Sequence, residues 1–307
     1  MTASADAARK GPDLFIVGAP KAGTTAMDTY LGQHPEIYMA PHKETHFFAP
    51  DLIPPDERMT PEAYFAMFEA GGAEKYFGES SVFYLVSPAA AQAIRDFCPT
   101  ARILIFLRNP VDFIDSHHSQ IVYEGYEDLT DLRAALEAER ARREAWRDGP
   151  AYYRQVVRYY RRMAAYSEQV QRYLEIFGCA QVHITLYDDI REDLPGAYRR
   201  VLEFLGVDPG FEADFVVRNA NKAVRSSRLR NLLLDPPPWA SIPSRSLLPL
   251  SARNAVKRIL KRANTNIVRR PPMPEDLRRA LAADLRPDMQ RLEKLLDRDL
   301  GAWYGAA

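Results

Sequence analysis

Short apolar runs alternate with amphipathic stretches along most of the chain. Continuous apolar runs at Asp13–Gly18 and Ala101–Leu107 predict buried parallel strands, which are covered on both faces. Two more strands are predicted, within Tyr76–Tyr84 and over Val182–Tyr187. Helices are predicted over Thr25–Gln33, Pro61–Ala70, Pro88–Phe97, Leu129–Trp146, Tyr152–Phe177, Leu194–Leu205 and Glu275–Leu300, and another is expected to begin at Pro110. This alternation predicts the α/β class, with a mostly parallel central sheet flanked by helices.

The chain carries no internal repeat and no clear linker, so one domain over residues 1–307 is expected. Residues 1–12 are expected to be a flexible N-terminus. They contain no apolar core of a secretory signal, and no apolar run in the chain reaches the length of a membrane span. The two cysteines, Cys98 and Cys179, stand alone and have no metal-ligand spacing. A soluble, cytoplasmic protein without a metal site is therefore expected.

Charge is distributed unevenly although the net charge is zero. Thirteen lysines and arginines lie between Arg218 and Arg270, opposed only by Asp235. Such a segment indicates an anionic partner or a solvated basic face. Within it, residues 232–250 are rich in proline and apolar residues, and they fit either a lid over a site or a packed surface loop. Residues 251–262 form a basic amphipathic stretch that fits either peripheral membrane contact or packing on the domain itself.

Gly18–Thr25 (GAPKAGTT) joins the first strand to the first helix. Backbone N–H groups at a helix start bind anions, and glycine lets the backbone approach them closely. The loop differs from a Walker A motif, because Thr24 occupies the position of the Walker lysine and Lys21 comes earlier. It therefore predicts binding of one terminal phosphate-like group without a metal, in a P-loop-like sandwich.

The segment PKAGTTAMDTYL resembles the 5′-phosphosulfate loop of sulfotransferases that use 3′-phosphoadenosine 5′-phosphosulfate (PAPS). The later segment ILIFLRNPVDFIDSHHSQ resembles their 3′-phosphate motif. The resemblance implies that PAPS is the sulfuryl donor and that no metal is required. The residues implied to bind it are Lys21, Ala22, Gly23, Thr24 and Thr25 in the loop, and Arg108 and Ser116 in the second motif. Lys21 would also stabilise the leaving phosphate.

Two further segments, PEIYMAPHKETHFF and GESSVFYLVSP, resemble the heparan sulfate glucosaminyl sulfotransferases and their bacterial relatives. This resemblance implies that Glu44 is the general base and that His46 orients the substrate or the glutamate. The histidine base of the cytosolic small-molecule enzymes has no counterpart in Gly78–Ser81. An alternative is that Glu44 pairs with Lys43 or another basic group. Ser80 stands where the heparan sulfate enzymes have a lysine, so one cation fewer is expected near the transferring group.

Sulfotransferases fold a basic loop over the nucleotide, and Lys222, Arg225 and Arg269 are the implied candidates for 3′-phosphate contacts. The implied acceptor is a hydroxyl or amine of a small molecule, sugar or glycolipid; neither its identity nor the oligomeric state follows from the sequence. Two alternatives are a P-loop nucleotide kinase and a non-catalytic module that binds an anionic ligand. The kinase requires a Walker lysine, which is missing. Nucleic acid is not an expected partner, because Trp239 is the only aromatic residue in the basic segment.

Overall fold

Five parallel strands form the central sheet of the computed structural model, which describes residues 11–145, 152–216, 222–224, 265–267 and 271–304. The strands are β1 (Leu14–Gly18), β2 (Ile37–Met39), β3 (Tyr76–Ser80), β4 (Arg102–Leu107) and β5 (Val182–Leu186). Their order in the sheet is β2-β3-β1-β4-β5. The central strand β1 pairs with β3, Leu14 lying opposite Gly78, and with β4, Phe15 lying opposite Ile103. The predicted parallel sheet is confirmed.

Twelve helices are described around this sheet. They are α1 (Thr24–Leu31), α2 (Pro61–Ala66), α3 (Ala90–Phe97), α4 (Pro110–Glu124), α5 (Leu132–Ala145), α6 (Tyr153–Val156), α7 (Tyr160–Ala164), α8 (Tyr166–Phe177), α9 (Tyr187–Glu192), α10 (Leu194–Leu205), α11 (Glu275–Leu296) and α12 (Gly301–Tyr304). None of these helices is long and apolar enough to cross a membrane. A short antiparallel pair, β6 (Lys222–Val224) with β7 (Thr265–Ile267), lies apart from the main sheet.

Both faces of the sheet are covered, as the apolar runs predict. Successive side chains of a strand point to opposite faces, and in β1 all of them are buried. Leu14 and Ile16 pack with side chains of α1 and α10 in one cluster. Phe15 and Val17 belong to a second, larger cluster with side chains of α3, α8 and α11. The architecture is therefore the three-layer α/β sandwich expected from the sequence.

The single helix predicted over Tyr152–Phe177 is wrong, because the structure breaks it into α6, α7 and α8. The breaks leave N–H groups at the new helix starts, and carboxylates from distant segments accept two of them. Glu139 accepts from the Arg161 N–H at 3.0 Å. Asp288, on α11, accepts from the Ser167 N–H at 3.3 Å and also from the Ser167 hydroxyl. Tertiary hydrogen bonds therefore override a helical pattern that is continuous in the sequence.

Three smaller differences concern short elements and one helix end. The structure contains β2 in a stretch for which no strand is predicted, and it contains α9 directly after β5. The last long helix ends at Leu296 rather than Leu300, because Asp297 adopts a left-handed conformation with φ 47°. The sequence predictions for residues 1–10 and for the lid at 232–250 lie outside the described residues.

Removing the Asp288 carboxylate should destabilise the protein, because the buried Ser167 N–H loses its acceptor. We expect Asp288→Ala to lower the free energy of unfolding by about 2 kcal/mol in urea denaturation. The matched control is Glu144→Ala, which removes an exposed ion pair with Arg140 and should cost less than about 0.5 kcal/mol. Equal stability of the two variants would contradict this account of the helix break.

Candidate active site

The carboxyl ends of parallel strands meet at one edge of a sheet, and each of the five strands contributes a residue there. Lys21 follows β1, Arg108 follows β4 and Tyr187 follows β5. Ser81 follows β3, and Glu44 lies in the loop after β2. The edge that holds the glycine loop therefore also holds the other segments singled out in the sequence.

The loop after β1 has the backbone geometry of an anion site. Helix α1 begins at Thr24; the N–H groups of Thr24 and Thr25 at its start have no acceptor within the helix, whereas those of Ala26 and Met27 donate to the Gly23 carbonyl. Gly23 caps the helix in the left-handed region, with φ 88°, a conformation that strains any residue carrying a Cβ. Lys21 is also left-handed, with φ 64°. Ala22 and Thr24 are buried, whereas Thr25 is exposed.

The two motifs expected to bind one nucleotide are in direct contact. Arg108 Nη1 donates to the Lys21 carbonyl at 3.3 Å. Lys21 Nζ donates to Gln120 Oε1 at 3.2 Å. Gln120 lies one helical turn after the buried Ser116 on α4, so both residues are on the face that meets the loop. The structure thus brings Lys21 and Arg108 into contact and places Ser116 one turn before Gln120 on α4.

Two residues at this point were missed by the sequence analysis. The Arg108 guanidinium lies 4.9 Å from the centroid of the Tyr187 ring, a cation–π contact. The same ring is 3.5 Å from where a Cβ on Gly23 would lie. Gln120 holds the Lys21 ammonium. Two features of the sequence could have indicated these residues: Gln120 lies four positions after Ser116, and Tyr187 lies at the end of a predicted strand.

Glu44 is fixed to the end of β3 by two hydrogen bonds. Its N–H donates to the Ser80 carbonyl at 2.9 Å, and its Oε2 accepts from the Val82 N–H at 3.0 Å. The residue as a whole is exposed, although many protein atoms surround its carboxylate. Burial raises the pKa of Glu44 to about 7, while the Lys43 ammonium opposes the rise.

Lys43 places an ammonium beside the serine at position 80. Its Nζ donates to Ser80 Oγ at 2.8 Å and lies 3.6 Å from the Asp28 carboxylate. An ammonium therefore does lie at Ser80, although it comes from a different segment. The ion pair of Lys43 is with Asp28, and among the described residues no basic group lies within 4.0 Å of the Glu44 carboxylate. These contacts do not support the alternative in which Glu44 pairs with Lys43 or another basic group.

His46 lies in an aromatic cluster beside Glu44. Its ring centroid is 5.7 Å from that of Phe83 and 5.4 Å from that of Tyr153. Tyr153 in turn meets Tyr126 at 5.4 Å. Burial lowers the pKa of His46 to about 4, so the imidazole is neutral at pH 7. Its Nδ1 is buried and has no hydrogen-bond partner in the described part of the chain. No hydrogen bond joins His46 to Glu44 there.

The structure describes only part of the basic residues that are expected to contact the 3′-phosphate. Lys222 begins β6, whose backbone lies beside α4, the helix that carries Ser116. The side chain of Lys222 is outside the described part, as are all of Arg225 and Arg269 and the amphipathic stretch 251–262. Within the described ranges, no three His, Cys, Asp or Glu side chains are grouped as metal ligands.

Comparison with known proteins identifies the family. A sulfotransferase from Alicyclobacillus acidocaldarius has the same fold, with a TM-score of 0.70 and 33% sequence identity over 96% of this chain and 99% of that one. The membrane-associated sulfotransferase kil1 of Dictyostelium discoideum is 29% identical over 101 residues, which span 33% of this chain and about a fifth (21%) of that protein. Residues 11–231 match the family described as Sulfotransferase domain. That match covers more than half of the chain, and the chain belongs to the sulfotransferase family.

Proposed function

We propose that this protein transfers a sulfuryl group from PAPS to a hydroxyl or amine, with Glu44 as general base and Lys21 stabilising the leaving phosphate. The observation that carries the proposal is the hydrogen bond from Arg108 to the Lys21 carbonyl, which joins the two phosphate motifs at one sheet edge. The sulfotransferase family uses PAPS as its donor. The family match favours this activity over a nucleotide kinase and over a non-catalytic anion-binding module.

The donor-binding residues suit a nucleotide with phosphates at two positions. The amides of Ala22, Gly23, Thr24 and Thr25 and the two hydroxyls would bind the 5′-phosphosulfate. Arg108 and Ser116 would bind the 3′-phosphate, because a guanidinium forms forked, charge-assisted hydrogen bonds to phosphate oxygens. We propose Lys222, Arg225 and Arg269 as further contacts to this phosphate. The backbone of β6, which begins at Lys222, lies beside α4.

Lys21 would follow the charge that develops on the leaving oxygen. Sulfuryl transfer resembles phosphoryl transfer, in which attack is in line and the protein mainly positions groups and stabilises charge. The hydrogen bond to Gln120 holds the ammonium beside the loop. The left-handed backbone of Lys21 is a strained conformation, of the kind that is found at functional sites.

Glu44 has the properties of a base that works near neutral pH. A carboxylate with a pKa of about 7 is partly ionised at pH 7 and takes up a proton more readily than an ordinary glutamate. The Val82 N–H holds one carboxylate oxygen and leaves the other to accept the proton of the attacking hydroxyl. Neutral His46 would help to orient the acceptor as part of the ring cluster.

We place the acceptor against Phe83, Tyr126 and Tyr153, beside Glu44. These rings form a continuous aromatic wall, and the Arg154 guanidinium lies 5.9 Å from the Tyr126 ring. Such a wall suits an apolar group or the face of a sugar ring, with Glu44 at its edge. A small molecule, sugar or glycolipid acceptor therefore fits, and we propose that one domain performs the whole reaction.

Donor binding can be measured by isothermal titration with 3′-phosphoadenosine 5′-phosphate in the presence of EDTA. We expect micromolar binding, weakened by about 10- to 100-fold in Arg108→Ala because a charge-assisted phosphate contact is lost. Arg102→Ala is the control: Arg102 opens β4 at the opposite end of the strand and donates to the Ala180 carbonyl. Preferential binding of Mg·ATP would overturn the proposal.

Replacing the proposed base should separate catalysis from donor binding. We expect Glu44→Gln to bind the nucleotide with near-normal affinity and to lower kcat by about 100-fold or more. In the unaltered protein, kcat should rise with pH through an acid limb near pH 7, as Glu44 loses its proton. The exposed Glu212→Gln serves as the control. An active Glu44→Gln enzyme would remove Glu44 from the mechanism.

The raised pKa of Glu44 also predicts a pH-dependent cost in stability. A carboxyl group whose pKa is higher in the folded state binds its proton more tightly there, so stability falls as pH rises from about 4.5 towards 7. We expect Glu44→Gln to be more stable than the unaltered protein at pH 8 and equally stable at pH 4. Urea denaturation at both pH values measures this, and equal stability at pH 8 would contradict the raised pKa.

A further inference from the structure

Glu79, on β3, is a fully buried carboxylate surrounded by hydroxyl groups. It accepts from Ser81 Oγ at 2.6 Å, from Thr45 Oγ1 at 2.8 Å and from Tyr64 Oη at 2.9 Å. Tyr84 Oη lies 3.1 and 3.0 Å from its two oxygens. Among the described residues no basic side chain pairs with it, and its exposed fraction is 0%. A buried carboxylate without a cation is costly unless hydrogen bonds replace the lost water.

The hydroxyls around Glu79 also hold the loop that carries the proposed base. Thr45, which donates directly to Glu79, lies between Glu44 and His46. Ser81 Oγ donates to Glu79 and accepts from the His46 N–H at 3.2 Å. Tyr84 Oη accepts from the Phe48 N–H at 3.2 Å. One carboxylate thus connects to three positions of the loop 44–48, directly or through a single hydroxyl.

This loop needs external support because its backbone is strained. Glu44 has φ 60° and His46 has φ 52°, both in the left-handed region that disfavours residues with a Cβ. Such conformations are unfavourable and persist only where the surrounding structure determines them. The Thr45 side chain between the two strained residues donates to Glu79.

We propose that Glu79 is a positioning residue, which holds the loop 44–48 so that Glu44 meets the acceptor. Glu79 lies beneath the loop and touches neither donor nor acceptor. The proposal rests on the function proposed above, because it takes Glu44 as the base. It goes beyond that function by assigning the residue that orients this base.

Glu79 should also affect the pKa of Glu44 through its charge, an effect that a role in packing alone would not produce. Burial is the main cause of the raised pKa of Glu44; Glu79 and Asp28 add to the rise, and Lys43 and the Val82 N–H oppose it. Burial raises the pKa of Glu79 as well, and its hydroxyl hydrogen bonds oppose that rise. Tyr64, Tyr84 and Tyr173 also face Glu79. A neutral residue at position 79 removes whatever negative charge Glu79 carries, which should lower the pKa of Glu44 and move the acid limb of kcat to lower pH.

The test is Glu79→Gln in the full-length chain, which keeps the side-chain shape and removes the charge. We expect kcat to fall by about 10- to 100-fold, because small displacements of a reacting group are that costly. Affinity for 3′-phosphoadenosine 5′-phosphate should stay within about threefold, as should the acceptor KM, since neither ligand touches Glu79. The acid limb of kcat should shift to lower pH.

Thr45→Val separates the two effects of Glu79. It removes the direct hydrogen bond to the loop but keeps the Glu79 charge, so kcat should fall while the acid limb stays in place. The matched control is Glu139→Gln, another buried glutamate, which accepts from Arg161 on α7. It should lose stability without moving the acid limb. Unchanged kcat and acid limb in folded Glu79→Gln would overturn the proposal, as would equal losses of kcat and nucleotide affinity.

Hydrogen exchange gives a readout that does not depend on activity. The amides of Glu44, His46 and Phe48 should exchange faster in Glu79→Gln, in the presence of saturating 3′-phosphoadenosine 5′-phosphate, than in the unaltered protein. Unchanged exchange at these amides would overturn the anchoring role. Faster exchange in an enzyme that needs no Glu44 would instead refute the proposed base and leave Glu79 as the anchor of the loop.

Discussion

The parallel arrangement of the five strands brings their carboxyl ends to one edge, and the site depends on that edge. Because β1 and β4 are neighbours, the loop that contains Lys21 and the turn that begins with Arg108 are in hydrogen-bond contact. On the other side of β1, the strands β3 and β2 are neighbours, so the loop after β2 that carries Glu44 meets the end of β3. The proposed donor and acceptor sides thus lie at the ends of two adjacent strands, β1 and β3.

Backbone strain is concentrated at this edge. Among the described residues, four that are not glycine have positive φ, and Lys21, Glu44 and His46 are three of them. Such strain has to be offset by surrounding contacts. At Lys21 the contacts are a side-chain bond to Gln120 and the Arg108 bond to its carbonyl. At the loop 44–48 they are backbone bonds to the end of β3 and the hydroxyl network of Glu79.

Charge is divided between the two sides of the site. Lys21 and Arg108 supply positive charge where an anionic donor would bind. Around Glu44, burial raises the pKa of the carboxyl group to about 7; the carboxylates of Glu79 and Asp28 add to the rise, and the nearby ammonium of Lys43 limits it. Lys43 also donates to Ser80, so an ammonium lies beside this end of β3. Such a pKa suits the proposed role of Glu44 as a base.

The sequence by itself determined four of the five strands of the sheet and the positions of the two motifs expected to bind phosphate. Apolar runs that end in Gly18 and before Arg108 are local signals, and strand-to-helix turns keep their residues at the sheet edge whatever surrounds them. Only the tertiary structure decided where the helix predicted over 152–177 breaks, that the Lys43 ammonium contacts Ser80, and that hydroxyl groups surround Glu79. Each depends on a contact between residues far apart in the chain, such as Ser167 with Asp288 and Thr45 with Glu79, and no local pattern specifies such a contact.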